Sequence, residues 1–109
     1  MRRNELVPGT LELLILQTLS RGREMHGFEI AGSISQTPSD VFSVEEGSLY
    51  PALQRLLVKG WVTAAWDTTE GNRRARYYRL TPSGRKRLQT EVAEFERVVG
   101  AIRRVIEAT

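Results

Sequence analysis

The chain has 109 residues, no cysteine and a net charge of +3, from 16 basic and 13 acidic side chains. A chain of this length can bury one core without cross-links, and the lack of cysteine excludes disulfides, thiolate nucleophiles and cysteine-bound zinc. No apolar run approaches the roughly 18 residues that a membrane-spanning helix requires, so we expect a cytoplasmic protein that does not enter a membrane.

Two helices are predicted in the first third of the chain. Thr10 follows a proline and a glycine and is a favoured N-cap residue, which predicts a helix from Thr10 to about Ser20. A second helix is predicted from about Met25 or His26 to Gln36. His26, the only histidine, is interpreted as a structural or capping residue. The expected core residues of the second helix are Phe28, Ile30, Ala31 and Ile34.

The third predicted helix carries the most informative pattern of the chain. Ser43 begins an S-x-x-E capping box, which places the helix start near Val44, and Gly60 ends the helix. Pro51 has no N–H for the carbonyl of Gly47, so we expect a kink. Leucines at helical spacing mark the core side: Leu49, Leu53, Leu56 and Leu57.

The opposite face of this helix lacks the Lys and Glu that are usual on a solvated helix. Its residues are Gly47, Pro51, Gln54, Arg55 and Val58, with Ser48 and Tyr50 at the margins. Small, hydroxyl and amide side chains can approach a DNA groove and bond base edges or phosphates. An amphipathic helix packed on a neighbour would show the same leucine stripe, so this helix alone leaves both interpretations open.

Two strands are predicted to follow, at about Trp61 to Asp67 and Arg74 to Leu80, joined by a five-residue loop. Side-chain alternation places Tyr78 and Leu80 on the core and sends Arg74 and Arg76, which lie nearer the hairpin tip, beyond it. Arg73 adds charge at the tip. A solvated basic edge that prevents strand-to-strand aggregation is the alternative. Both tryptophans of the hairpin are interpreted as packing residues: Trp61 and Trp66.

The segment that includes the second strand is strongly basic. It has no acidic residue and holds seven basic ones: Arg73, Arg74, Arg76, Arg79, Arg85, Lys86 and Arg87. Such a local excess points to a polyanionic partner more strongly than the net charge does.

A last helix is predicted with Thr81 as N-cap and Pro82 as its first residue. Apolar residues repeat along it with alternating spacings of four and three: Leu88, Val92, Phe95, Val99, Ile102 and Ile106. The pattern is that of a coiled-coil seam, so we expect this helix to pair with a second copy. Packing on its own domain is the alternative.

Four blocks occur in a distinctive order along nearly the whole chain. They are Gly9-Thr10-Leu11 with Leu14-Ile15-Leu16, His26-Gly27-Phe28-Glu29-Ile30, Gly47-Ser48-Leu49-Tyr50-Pro51-Ala52-Leu53, and Tyr77-Tyr78-Arg79-Leu80-Thr81-Pro82-Ser83-Gly84. With these blocks the sequence resembles PadR-type transcriptional regulators, and its length resembles their short subgroup with a single C-terminal dimerisation helix. The resemblance implies a homodimeric repressor that leaves DNA when a small molecule binds or another signal arrives.

The expected architecture is mainly α with a two-stranded hairpin. Residues 1–81 would form a winged helix-turn-helix and residues 82–109 a dimerisation helix. The expected contacts with double-stranded operator DNA are Ser48, Tyr50, Gln54, Arg55, Arg73, Arg74 and Arg76. No catalytic residue, metal site or cofactor is expected. The alternatives are a winged-helix module that docks an acidic protein partner and a sequence-independent nucleic-acid packaging protein.

Overall fold

The computed structural model describes residues 9–36 and 43–108. Within these ranges it has four helices and one three-stranded sheet, which confirms a mainly α fold with a small β element. The elements are α1 (Thr10–Leu19), β1 (Met25–His26), α2 (Gly27–Ser35), α3 (Glu46–Val58), β2 (Val62–Thr68), β3 (Arg74–Leu80) and α4 (Pro82–Glu107). The predicted units were residues 1–81 and 82–109. Residues 1–8 of the first unit and residue 109 of the second lie outside the described residues.

The sheet has a third strand that the sequence did not indicate. Its order is β1-β3-β2 and both pairings are antiparallel, with Met25 opposite Tyr78 and Val62 opposite Leu80. Met25 and His26 were predicted to start the second helix, and this was wrong because their backbone pairs with β3. Two residues are too few to show a strand periodicity.

Helix α2 therefore starts at Gly27, and His26 is its N-cap. The His26 Nδ1 atom accepts a hydrogen bond from the Glu29 N–H at 3.3 Å, and Glu29 Oε1 accepts one from the His26 N–H at 3.1 Å. The two residues thus form a capping box in which histidine takes the place usually held by serine or threonine. The interpretation of His26 as a capping residue is confirmed.

Two other predicted helix starts differ from the structure. Helix α1 does begin at Thr10, but its N-cap is Gly9, whose φ of 91° suits glycine, and no side chain caps it. Helix α3 begins at Glu46 rather than near Val44, and the expected capping box does not form. Val44 instead packs against the core from an extended segment.

The C-terminal end of α3 agrees with the prediction. Gly60 has a φ of 76°, its N–H bonds the Leu57 carbonyl, and the Trp61 N–H bonds the Leu56 carbonyl, both at 3.0 Å. These two bonds form the glycine-ended helix terminus known as the Schellman motif, which turns the chain directly into β2. Helix α3 runs through Pro51 without a break, and the kink expected there stays a prediction.

The core lies between α1, α2, α3 and the inner face of the sheet. Helix α3 contributes Leu49, Ala52, Leu53 and Leu56, each almost fully buried, while Leu57 is half-buried against them. Helix α4 begins as predicted, with Thr81 as N-cap and Pro82 as N1. Its Leu88 reaches the same core, and the rest of the helix extends away from it, which gives the molecule a longest dimension of 56 Å.

Gly84 sets how closely α4 approaches the end of α3. A Cβ atom at this position would lie 1.9 Å from the Trp61 carbonyl oxygen, which is backbone and cannot rotate away. The first turn of α4 is also tied down by Thr81 Oγ1, which donates to the Gly60 carbonyl at 2.8 Å and accepts from the Gly84 N–H at 2.9 Å.

We therefore expect Gly84→Ala to lower the free energy of unfolding by about 3 kcal/mol, as overpacking against backbone does. Gly32→Ala is the matched control, because Gly32 is also helical but has open space around its Cβ position. The control should gain roughly 0.5–1 kcal/mol from helix propensity. Urea denaturation of both variants measures the difference, and equal stabilities would refute the close approach.

Candidate nucleic-acid interface

One face of α3 is open to solvent, as its composition predicted. Its leucines fill the core, and the residues of the other side are all exposed: Gly47, Ser48, Tyr50, Pro51, Gln54, Arg55 and Val58. The small residues Gly47 and Pro51 leave the backbone of this face uncovered, so a flat or curved surface could approach it closely. Gln54 offers both a donor and an acceptor there.

Arg55 is not free on this face. Its Nε atom donates to Glu12 Oε1 of α1 at 2.5 Å, and the Glu12 side chain is only 17% exposed. The ion pair joins the first and third helices and holds the guanidinium toward α1. Arg55 still has four other N–H donors, so it can bind an anion while it remains paired.

Tyr50 lies against the beginning of α2. A Cβ atom on Gly27 would come within 2.8 Å of the Tyr50 hydroxyl and 3.0 Å of its ring, so the glycine makes room for the aromatic side chain. Tyr50 remains 46% exposed. The contact orients its ring along the edge of the α3 face instead of leaving it free to rotate.

The hairpin of β2 and β3 projects beside this face. Tyr78 and Leu80 are buried while Arg74 is exposed and Arg76 half-buried, so the prediction that the core ends before the two arginines of this face is confirmed. The turn at its tip is closed by the Thr69 N–H, which donates to the Arg73 carbonyl at 2.7 Å. Burial raises the pKa of the Tyr78 hydroxyl, and Arg76 lowers it by less, so Tyr78 stays protonated at neutral pH.

Trp66 is not the packing residue that the sequence suggested. It is 59% exposed and lies opposite Arg76 in the outer half of the hairpin, beyond the reach of the core. Arg74 and Arg76 lie over its ring, with guanidinium-to-centroid distances of 5.4 and 5.9 Å. Trp61 does pack against the core, as predicted.

The arginines near the hairpin tip differ from several other arginines in what they contact. Among the described residues, no carboxylate lies within ion-pairing distance of Arg73, Arg74 or Arg76. Elsewhere each of the following pairs is an ion pair: Arg23–Glu29, Arg79–Glu24, Arg87–Glu91 and Arg97–Glu94. The basic run of the sequence is thus divided: Arg79 and Arg87 are paired with carboxylates, whereas the three arginines near the hairpin tip are not.

These elements enclose a cleft of about 1100 Å³. The walls of the cleft are the start of α2, the α3 face with Tyr50 and Gln54, and the hairpin with Trp66, Arg74 and Arg76.

Phe28 lies at the edge of the cleft and is 80% exposed, so the prediction that it belongs to the core was wrong. Phe28 lies beside the start of α2 and faces outward, while Ile30 and Ile34 of the same helix fill the core. Neither Phe28 nor Trp66 was among the predicted contacts.

A second exposed surface runs along α4. The side chains of Phe95, Val98, Ile102 and Val105 are all exposed and are spaced three, four and three residues apart. Ile106 is exposed as well. Of the predicted seam, Leu88 is buried in the chain's own core, Val92 packs against that core and Val99 is half-buried. The exposed stripe therefore begins at Phe95, where α4 leaves the globule, and includes two valines that the heptad pattern omitted.

Within the described ranges, no group of three histidine or carboxylate side chains could hold a metal ion. No described helix is long and apolar enough to cross a membrane. The cleft and the α4 stripe are the two surfaces whose composition points to a partner.

Comparison with known proteins gives a consistent result. A model of the transcriptional regulator PadR-like family matches residues 15–90. An uncharacterised protein of Lysinibacillus sphaericus is 32% identical over 99 residues, which cover 90% of this chain and 89% of the relative. A transcriptional regulator structure from Clostridium thermocellum is 28% identical, with a TM-score of 0.79 and coverage of 88% of this chain and 92% of that one. A PadR family regulator from Eggerthella lenta is 25% identical, with a TM-score of 0.78 and coverages of 93% and 85%.

The outward position of Phe28 can be tested by stability. We expect Phe28→Ala to change the free energy of unfolding by less than about 0.5 kcal/mol, as is usual for exposed positions. Ile30→Ala, which truncates a fully buried neighbour on the same helix, should cost about 3 kcal/mol. Urea denaturation gives both values. A loss at Phe28 as large as that at Ile30 would place the ring in the core.

Proposed function

Because the chain belongs to the PadR-like family of transcriptional regulators, which makes it a DNA-binding regulator, we propose that it acts as a homodimeric repressor. In this proposal it binds double-stranded operator DNA and is released by a small molecule or another signal. Three hairpin arginines without a carboxylate partner, beside an α3 face without acidic residues, are the observation that carries the proposal.

Helix α3 would enter the major groove. Gln54 can bond a base edge with both its donor and its acceptor, and Ser48 and Tyr50 can bond bases or phosphates from the margins of the face. Arg55 would contact a phosphate while its Nε remains bonded to Glu12. The uncovered backbone at Gly47 and Pro51 allows the close approach that such contacts require.

The hairpin would act as the wing on the flanking part of the duplex. Arg73, Arg74 and Arg76 carry charge that no neighbouring carboxylate neutralises, so they can replace the counterions of several phosphates. On the α2 side of the cleft the charges are already paired, through Arg23 with Glu29 and Arg79 with Glu24. On the hairpin side, three unpaired arginines outnumber the one acidic residue that lines the cleft, Glu70, which favours DNA backbone there.

Helix α4 would form the dimer. The stripe from Phe95 to Val105 leaves four apolar side chains in water, and a second copy of the same stripe would cover them. Two copies joined in this way would place their α3 helices on half-sites separated by about one turn of DNA, roughly 34–36 Å. A signal that shifts one α4 against the other would change that separation and weaken binding.

We propose repression because it requires only the α3 face, the hairpin and the α4 stripe. A dimer that occupies a promoter can exclude other proteins by its presence, without a further contact. We propose no catalytic role.

Selection of duplexes from fragmented source-genome DNA at about 150 mM salt tests the function. A recovered site with two-fold symmetry would support sequence-specific dimer binding. Affinity for an acidic protein, without any preference among duplexes, would favour the protein-docking alternative. Recovery of DNA without a common sequence would favour packaging.

On the selected site we expect Arg74→Ala to weaken binding to all duplexes and to reduce the slope of log affinity against log salt by about 1. Gln54→Ala should instead relax the base preference at one position, because an amide reads a base edge. Titration at several salt concentrations, on the site and on single-base variants, separates the two effects.

Arg79→Ala is the control for Arg74, since it removes an exposed arginine of the same strand that is already paired with Glu24. Its salt slope should equal that of the unaltered protein. An equal reduction of the slope in Arg74→Ala and Arg79→Ala would show that the wing is not the phosphate-binding surface. Uniform losses from Gln54→Ala on every sequence would remove Gln54 from base recognition.

Dimer formation through α4 predicts that Ile102→Glu yields a monomer, because it puts a charge into the apolar stripe. Arg104→Gln changes the net charge by the same amount at an exposed position two residues away, on another side of the helix, and should stay dimeric. Sedimentation velocity at micromolar concentration measures both. A dimeric Ile102→Glu variant would move the interface elsewhere.

A further inference from the structure

Several arginines in the described part of the chain are held in one of two ways. Arg23, Arg79 and Arg97 each contact a carboxylate, which neutralises their charge. Arg74 and Arg76 contact an aromatic ring instead, and among the described residues no carboxylate pairs with either. The aromatic contact leaves the positive charge of Arg74 and Arg76 available to a partner.

Trp66 is the common partner of the two wing arginines. It stands opposite Arg76 in the β2–β3 pairing, and Arg74 lies two residues away on the same face of the sheet. Both guanidinium groups lie within the roughly 6 Å over which a ring attracts a cation. Arg76 also lies 5.9 Å from the Tyr78 ring, so it is held between two aromatic side chains.

A ring contacts the flat face of a guanidinium group and leaves its N–H edge available. The N–H edge is the part that bonds phosphate oxygens in a bidentate manner. Arg76 Nε is buried without a hydrogen-bond partner among the described residues, so the donors of Arg76 that remain open to a phosphate are its terminal N–H groups. Stacking therefore restricts the arginine before binding, without occupying its outer donors.

We propose that Trp66 is a positioning residue for DNA binding, whose ring holds Arg74 and Arg76 toward the cleft with their phosphate-binding edges free. The inference rests on the proposed function and adds a residue that acts through the arginines. A packing role does not explain Trp66, because the side chain is 59% exposed and lies outside the core cluster.

The stack can first be observed without DNA. The chain has two tryptophans, so Trp61→Phe leaves Trp66 as the only indole. In this background the side-chain proton resonances of Arg74 and Arg76 should be shifted upfield by the Trp66 ring. In Trp66→Ala the shift should vanish for Arg74 and decrease for Arg76, which keeps its contact with the Tyr78 ring. Unshifted resonances in the presence of Trp66 would overturn the proposal.

A double-mutant cycle on the selected duplex then tests the role. With both arginines present, Trp66→Ala should weaken affinity about tenfold, as expected when two exposed cation–π contacts are lost. In a protein whose Arg74 and Arg76 are both alanine, Trp66→Ala should weaken the affinity less than about twofold, because the arginines that Trp66 positions are absent. Trp66→Phe should restore most of the affinity, and the melting temperature should stay within a degree or two of the original.

The outcomes that contradict the proposal are distinct from failure of the proposed function. An equal loss in both backgrounds would mean that Trp66 contacts the DNA directly. A large fall in melting temperature with Trp66→Ala would mean that it stabilises the fold. Either result leaves DNA binding by the unaltered protein intact, whereas a protein that selects no duplex at all would refute both the function and the positioning role.

Discussion

Strand β3 pairs with β2 along its whole length and with β1 at Tyr77 and Tyr78, and the fold and the candidate interface both depend on these pairings. Its pairing with β2 sets Trp66 opposite Arg76, and its pairing with β1 fixes where α2 begins. Alternation along the same strand puts Arg74, Arg76, Tyr78 and Leu80 on one face. Tyr78 and Leu80 lie over the core, and the two arginines lie nearer the hairpin tip and face the cleft. One strand thus anchors the wing and aims its charge, because a central strand can neither slip in register nor rotate without breaking two sets of bonds.

The charge of the molecule matters through its arrangement more than through its amount. A net charge of +3 is small for a protein that binds a polyanion. Ion pairs neutralise Arg23, Arg79 and Arg97, while aromatic contacts hold the wing arginines without neutralising them. Within the cleft, the unpaired positive charge therefore lies on the hairpin, where we propose that it attracts DNA and orients the protein on it. A larger total charge spread evenly would not provide that orientation.

Helix α4 joins the core to the exposed apolar stripe in one continuous helix. Gly84 and Leu88 fix its first turns to the core beneath the wing, and the stripe from Phe95 onward lies exposed. The helix is continuous from Pro82 to Glu107, so no linker separates its distal part from the globule. This geometry explains how the proposed dimer could couple a signal to the spacing of the two α3 helices.

The sequence by itself determined the elements with strong periodicity: the leucines of α3, the alternation of β3, the caps at Gly60 and Thr81, and the length of α4. These are local preferences, since each depends on neighbours within one or two turns of the chain. Tertiary structure decided the rest, namely the pairing of Met25 and His26 with β3, the outward positions of Phe28 and Trp66, the ion pair of Arg55 and the burial of Leu88. An aromatic or an arginine has the same local preference in a core as at an edge, so only the contacts made by distant segments determine which role it takes.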